Sequence, residues 1–207
     1  MKLKFRLRWP GLKRVFDMGV SLTALILLSP LFLMIALLIV LHDGGPVFFR
    51  QERIGKKGRP FRLYKFRSMR VLDEAAKGRF DAGDSSRVTR VGKILRKTKL
   101  DELPQLINVL KGEMSVVGPR PEVQKWVMVY PERWRRVLMV TPGITDYAAI
   151  EFRGEEELLS RSDEPEKTYR EEVLPKKLEL YEKYINNYSF LLDMKLIWVT
   201  MYSVVFK

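Results

Sequence analysis

Met18 to Leu41 is a run of twenty-four residues without a charge, and Ser29-Pro30 stands at its midpoint. No other stretch limits the folds open to this chain so strongly. At a rise of ~1.5 Å per residue an unbroken helix of that length reaches ~36 Å, more than the ~30 Å hydrocarbon core of a bilayer. A membrane-spanning helix is therefore the first expectation. Pro30 opposes it, because it has no amide hydrogen for the carbonyl of Ile26 and its ring pushes that carbonyl aside, so the helix kinks or breaks there. The Ser29 hydroxyl is placed to satisfy the freed carbonyl. Both flanks are basic: Lys2, Lys4, Arg6, Arg8, Lys13 and Arg14 precede the run, and nine Lys or Arg lie from Arg50 to Arg70. A spanning helix sends one flank across the membrane, whereas a re-entrant helix that dips in and returns keeps both on the cytoplasmic side. On the residues alone a kinked span and a re-entrant hairpin both remain open.

The 207 residues, 46% of them hydrophobic, suffice for one domain with a packed core. The absence of cysteine excludes a disulfide framework, thiolate metal sites and a cysteine nucleophile. The basic then apolar N-terminus has the order of a signal peptide, but the apolar run exceeds an h-region and no small-residue cleavage site follows, which reads as a retained anchor. The net charge of +13 is segregated. Glu151 to Glu182 holds eleven acidic and six basic residues, so the rest of the chain carries +18 and calls for an anionic partner: phospholipid headgroups, a phosphorylated substrate or nucleic acid. An anchor beside the basic region favours the first two.

After Gly44-Gly45-Pro46, residues 47 to 53 and 60 to 67 read as strands of a small β-hairpin around Gly55-Lys56-Lys57-Gly58. His42 is the sole histidine, and an interfacial position with no chemical role is the simpler reading of it. Residues 71 to 86 read as a polar loop. Over 89 to 99, Val91, Ile94 and Leu95 share a face among Arg90, Lys93, Arg96, Lys97 and Lys99, which predicts a cationic amphipathic helix, either solvated or facing headgroups and phosphates. A second helix is expected to begin at Asp101 and Glu102, with Leu103, Leu106, Ile107 and Leu110 buried and Gly112 as its C-terminal cap. Met114 to Gly118 reads as a short buried strand. Pro119 and Pro121 then hold Arg120 on a stiff extended mount suited to a phosphate clamp. Further on, 123 to 139 reads as helix interrupted at Pro131, with Trp126 and Trp134 in the core, Ile144 to Phe152 as a strand, and 175 to 187 as a helix. Phe190 to Phe206, apolar except for Asp193 and Lys195, reads as an amphipathic or packed helix. There is no Walker loop, no GxGxxG and no Asp-x-Asp pair.

Asp101 and Glu102 among Arg96, Lys97 and Lys99 are expected to stay ionised, and an ionised carboxylate can act as a nucleophile toward phosphorus or hold a hard cation such as Mg²⁺. Lys65, Arg67, Arg96 and Arg120 can neutralise a diphosphate. An Asp-Glu pair opening a helix is equally a plain cap, so spacing alone leaves both readings standing.

The basic N-terminus, the run broken by Ser29-Pro30, KFRSM at 65 to 69, RKTKLDELPQLINVLKGEMSVVGPRP at 96 to 121 and PGIT at 142 to 145 together closely resemble the bacterial sugar transferases known as monotopic phosphoglycosyl transferases. The resemblance implies a ping-pong reaction on the cytoplasmic face of the bacterial inner membrane. Asp101 matches the nucleophile that takes a phosphosugar from a UDP-sugar with release of UMP, and a polyprenyl phosphate, typically undecaprenyl phosphate, then collects it. It further implies a supporting role for Glu102 in Mg²⁺ binding or proton handling, phosphate contacts from Arg96 and Arg120 and, more weakly, Lys65 and Arg67, and a re-entrant membrane helix broken at Ser29-Pro30. One departure stands out: many members continue PGIT with a Gly-Trp-Ala-Gln type sequence, and here Asp146, Tyr147, Ala148 and Ala149 follow.

The fold expected is α+β and mainly helical, a single membrane-associated catalytic domain over 1–207: a re-entrant hairpin at 18–41, a catalytic core at 47–150, and an acidic segment with C-terminal amphipathic helices at 151–207. Expected partners are a UDP-sugar, a polyprenyl phosphate and inner-membrane lipids, with a homodimer left open, Mg²⁺ as cofactor and no nucleic acid. The rival expectation is a non-catalytic basic membrane adaptor that binds anionic lipid or a partner protein through the helix at 89 to 99.

Overall fold

The computed structural model describes residues 10–70 and 87–206. The polar loop expected at 71–86 and the basic residues Lys2 to Arg8 lie outside the described residues. The apolar run forms two helices, α1 (Pro10–Leu27) and α2 (Ser29–Asp43), bent by 61° at the break. Pro30 sits in the first turn of α2, where its missing amide costs nothing, and the Ser29 hydroxyl donates to the Ile26 carbonyl at 2.8 Å. This is the carbonyl that proline orphans. Among the described residues no single helix is long and apolar enough to cross a membrane.

α1 is built inside out. It buries Asp17 and Ser21 and exposes Leu12, Val15, Met18, Leu22, Ile26 and Leu27. Asp17 and the half-buried Arg14 grip the rest of the chain: the Asp17 carboxylate accepts from the Val116 amide at 3.1 Å, and Arg14 donates to the carbonyls of Val109 and Leu110 at the end of the helix α4 (Gln105–Lys111). The far end of α2 is held as firmly. Arg67 donates to the carbonyl of Asp43, the last residue of the helix, and to that of Gly45, each at 2.8 Å, and to that of Gly44, holding the helix end and the two residues after it.

The β-hairpin pairs β1 (Phe48–Ile54) with β2 (Pro60–Phe66) in antiparallel register from Phe48 opposite Phe66 to Ile54 opposite Pro60. Alternation along β2 and just past it gives its residues separate tasks. Phe66 packs on Phe32 of α2 and joins Ile35, Ile39, Val91 and Leu95 in one cluster. Its neighbours Lys65 and Arg67 turn elsewhere. Helix α3 (Arg90–Lys97), capped by the Thr89 hydroxyl, is the cationic helix expected, and it packs Val91 and Leu95 against α2. Ile94 departs from the expected face and is exposed, because α2 contacts the stripe of positions i and i+4 and Ile94 falls beside it.

Two elements differ from the sequence reading. Asp101 and Glu102 do not open an α-helix: they lie in a 3₁₀ turn, Leu100–Glu102, and α4 starts at Gln105 after Pro104. The buried face of α4 is Gln105, Leu106, Asn108 and Val109, while Leu103, Ile107 and Leu110 are half-buried, since the tighter 3₁₀ turn advances the register. The strand expected from Ile144 to Phe152 is only β4 (Gly143–Thr145), paired in parallel with β3 (Ser115–Val117), and Asp146 then caps α7 (Tyr147–Glu151). Any side chain on Gly143 would collide with the Gly118 main chain, so this close approach, which joins the GPRP and PGIT segments, requires glycine.

The main core surrounds Trp134, Leu174, Leu178 and Tyr184. It draws on the short helices α5 (Gln124–Val127) and α6 (Pro131–Val137), divided at Pro131 as expected, on α8 (Glu155–Ser160) and on the longer α10 (Leu174–Asn187); α9 (Pro165–Thr168) buries no residue and is joined to α10 through a π turn whose Tyr169 and Val173 enter the core. The last helix, α11 (Phe190–Phe206), repeats the inverted pattern of α1, burying Asp193, Leu196 and Ser203 and exposing Leu191, Trp198, Met201, Tyr202 and Phe206. Asp193 accepts from Lys13 of α1 at 2.5 Å and from the Tyr184 hydroxyl at 2.8 Å, so both inside-out helices are fastened to the core through polar groups.

Candidate functional site

The turn that carries Asp101 and Glu102 is set by Lys99, whose φ of 58° is a left-handed conformation unfavourable for a side chain with a Cβ. This reversal ends α3 and swings the two carboxylates toward β2 and the Pro119-Arg120-Pro121 segment. There Arg120 meets Glu102 in a two-pronged ion pair, Nη1 to Oε2 at 2.9 Å and Nη2 to Oε1 at 2.5 Å, and Lys65 of β2 adds Nζ to Oε1 at 3.0 Å. Residues far apart in sequence thus converge on one carboxylate.

The two acids differ in electrostatic state. Burial penalises the Glu102 charge, but the adjacent Arg120 and Lys65 outweigh it and hold the carboxyl well below the usual carboxylate range. Around Asp101, burial is the strongest influence and Glu102 adds repulsion; Lys65, Lys99 and Arg120 offset this only in part, so its affinity for a proton is raised. The expectation of a helix N-terminus at the pair is corrected: the two acids lie in a 3₁₀ turn. No α-helix dipole begins at Asp101, and Arg96 is not beside it. Asp101 is buried, its affinity for a proton is raised, and its Oδ1 has no hydrogen-bond partner, which makes it a candidate to carry chemistry.

Of the six charged residues singled out in the sequence, Asp101, Glu102, Lys65 and Arg120 come together. Arg96 pairs instead with Glu156 of α8, its Nε donating at 3.1 Å. Arg67 is occupied by the carbonyls of Asp43, Gly44 and Gly45 at and just past the end of α2. Ser29 and Pro30 lie at the helix break, away from these groups.

Asp146 is the residue the sequence reading missed. It is fully buried; its Oδ2 accepts from the Arg120 amide at 3.0 Å and its Oδ1 from the Ala149 amide at 2.6 Å. Burial raises its pKa to about 6, against the lowering effect of the Ala149 and Arg120 amides. The residue at the departure from the Gly-Trp-Ala-Gln pattern thus holds the Arg120 main chain in place. Asp followed by a short helical run is an N-cap signal, obscured when the segment is read as a strand.

Among the described residues no group of three His, Cys, Asp or Glu side chains could cage a metal ion. Mg²⁺ does not require one, since it commonly binds through one or two carboxylates together with substrate phosphates and water. The unpartnered Asp101 Oδ1 fits that role, whereas both Glu102 oxygens are already engaged by Arg120 and Lys65.

Comparison with known proteins places this geometry in context. The family model described as bacterial sugar transferase matches residues 8–207. A Bacillus subtilis protein named uncharacterized sugar transferase EpsL is 40% identical over 193 residues, which cover 93% of this chain and 87% of the relative. The Escherichia coli UDP-glucose:undecaprenyl-phosphate glucose-1-phosphate transferase is 38% identical over 200 residues, 93% of this chain but 40% of the relative. An Aeromonas hydrophila UDP-N-acetylgalactosamine-undecaprenyl-phosphate N-acetylgalactosaminephosphotransferase is 45% identical over 144 residues, 67% of this chain and 34% of its own length. The chain therefore spans less than half the length of the latter two.

Proposed function

The chain belongs to the bacterial sugar transferase family, and from that premise we propose that it moves a sugar 1-phosphate from a UDP-sugar to a polyprenyl phosphate such as undecaprenyl phosphate. The observation that carries this reading is the division of labour in the carboxylate pair: Glu102 is locked by Arg120 and Lys65, and the buried Asp101 keeps an unpartnered oxygen.

In the first step an Asp101 carboxylate oxygen bonds to the β-phosphorus of the UDP-sugar. The bond from that phosphorus to the oxygen bridging the two phosphates breaks, its electron pair leaves with UMP, and the phosphosugar remains on the enzyme as an acyl phosphate. Arg120 and Lys65 place two positive charges against the single charge of Glu102, which leaves a net cation beside the developing phosphate charge. Mg²⁺, held through Asp101 Oδ1 when bound, would screen the diphosphate oxygens. In the second step an oxygen of the polyprenyl phosphate attacks the same phosphorus, the bond to Asp101 breaks, and the carboxylate is restored. Because the relatives are named for different sugars, the proposal extends to UDP-sugars as a class.

The inside-out helices support a membrane location. A face of Leu, Ile, Met and Trp directed outward while Asp, Ser and Lys are held inward is stable against lipid and costly against water. Both ends of the bent pair α1–α2 are fastened to the same folded body, through Arg14 and Asp17 at one end and Arg67 at the other. This supports a re-entrant pair with both basic flanks on the cytoplasmic face of the bacterial inner membrane. The test is UMP release from a panel of UDP-sugars with and without polyprenyl phosphate. Wild-type protein is expected to release UMP and to carry a phosphosugar adduct, and Asp101→Asn to do neither. Full turnover by Asp101→Asn would end this mechanism.

A further inference from the structure

The β-hairpin sets an unused aromatic ring beside the carboxylate pair. At one end of its ladder the Arg67 amide donates to the Val47 carbonyl at 2.9 Å, and at the other the Gly55 amide donates to the Arg59 carbonyl at 2.9 Å. Hydrogen-bonded pairs recur at every second step of an antiparallel ladder, so Phe49 and Lys65 are one of them, with Cα atoms about 5.5 Å apart. Directly opposed side chains stand on the same face of the sheet. Phe49 is thus the cross-strand neighbour of Lys65, whose Nζ meets Glu102 Oε1 at 3.0 Å.

The adjacent Phe48 points to the other face, where it stacks on Phe66 with ring centroids 5.4 Å apart. Phe49, 48% exposed, joins no core cluster and stacks on no ring among the described residues. A single exposed Phe is ordinary on a protein surface. This one is set apart by standing directly across from a cation of the candidate site.

Its surroundings indicate what the ring meets. Arg67, the next residue on the Lys65 face, holds the carbonyls of Asp43, Gly44 and Gly45. The pair of Phe49 and Lys65 therefore lies two residues, about 7 Å along the strands, from the place where the hairpin is fastened to the end of α2. Over its last two turns α2 exposes Leu37, Leu38 and Leu41. A bare phenyl ring and an ammonium side by side at the foot of such a helix match a molecule whose hydrocarbon chain is joined directly to a phosphate. A nucleotide base can also stack on a phenyl ring, but its polar edge finds no answer in Phe49 and the apolar face of α2 offers it nothing.

We propose that Phe49 binds the polyprenyl phosphate acceptor, its ring holding the isoprenoid units nearest the phosphate while Lys65 attracts the phosphate itself. The proposal rests on the transferase reading above, and the bonds made and broken are those already described.

The test uses the full chain in detergent, with UMP release measured while the UDP-sugar and the polyprenyl phosphate are varied in turn, and with thermal unfolding as the control. Phe49→Ala is expected to raise the KM for the acceptor about five-fold, and to raise it more than the KM for the UDP-sugar. Phe49→Leu, which keeps an apolar side chain of similar reach, is expected to recover most of the loss. The effect of Phe49→Ala is expected with short-chain and long-chain acceptors alike, because the units nearest the phosphate are common to both. An unchanged acceptor KM overturns the proposal, as does an effect confined to the long-chain acceptor, which would place the ring against bulk lipid or detergent. A rise in the UDP-sugar KM equal to or larger than that for the acceptor overturns it in favour of the nucleotide. A marked fall of Tm in Phe49→Ala would make the ring a structural one and overturns it too. Active wild type, inactive Asp101→Asn and unimpaired Phe49→Ala would remove the role of Phe49 alone. Wild type that releases no UMP from any UDP-sugar would remove the transferase reading and this inference with it.

Discussion

Asp146 shows how one carboxylate can tie stability to pH. Burial raises its pKa from 3.8 to about 6 in the folded chain. Between those values the folded state holds a proton that the unfolded state has released, so the contribution of Asp146 to stability falls as pH rises through that window. Asp101 and Glu102 also titrate with shifted affinities, but they are common to wild type and an Asp146→Asn variant. The difference between the two Tm curves over this range therefore isolates Asp146. It is expected to narrow toward pH 4 and change steadily up to about pH 6, and a constant offset would contradict the assignment. Because the same carboxylate accepts from the Arg120 amide, Asp146→Asn is also expected to lower UMP release more than it lowers Tm, read as rate at a temperature where both proteins are folded.

At the scale of elements the break at Pro30 decides the path of the chain. The hydroxyl bond from Ser29 to Ile26 makes the interruption tolerable in an apolar environment, where an unpaired carbonyl costs several kcal/mol. Pro30→Ala restores the missing amide and favours one continuous helix. Tags at the N-terminus and after Lys207 are expected to be accessible from the same face in wild type. In Pro30→Ala a fraction is expected with its tags on opposite faces; an unchanged distribution would show that the anchors at Arg14, Asp17 and Arg67 suffice without the proline. The hairpin, the cationic helix and the division at Pro131 were legible in the sequence because each depends on local periodicity or on a residue with one backbone preference. The start of α4 and the shortness of β4 were not, because the 3₁₀ turn and the parallel pairing of β3 with β4 depend on contacts between distant segments.

For the whole molecule, two inside-out helices, α1 and α11, present apolar faces on a body that is otherwise strongly basic. Apolar contact and attraction to anionic headgroups then act together. Wild-type protein is expected to remain with membranes through a high-salt wash, which screens only the charges, and to be released by detergent. A double change on α11, Trp198→Asp with Met201→Glu, alters exposed residues only and is expected to increase the share released by salt, measured by sedimentation, without lowering Tm. Equal retention of the variant would assign the attachment to α1–α2 alone.

The sequence by itself determined which carboxylates and cations the chain can offer and the place where the apolar run must bend, because a residue's type, a proline's missing amide and a periodicity are local properties. Only the tertiary structure decided how those residues are paired. Arg120 and Lys65 reach Glu102, Arg96 turns to Glu156, Arg67 closes the end of α2, and Asp146 holds the Arg120 main chain, since each of these choices is settled by which segments the shared cores bring within a few ångströms. The difference between Asp101 and Glu102 has the same origin. Adjacent in the chain and alike in type, they diverge because burial favours the proton on one and two cations remove it from the other.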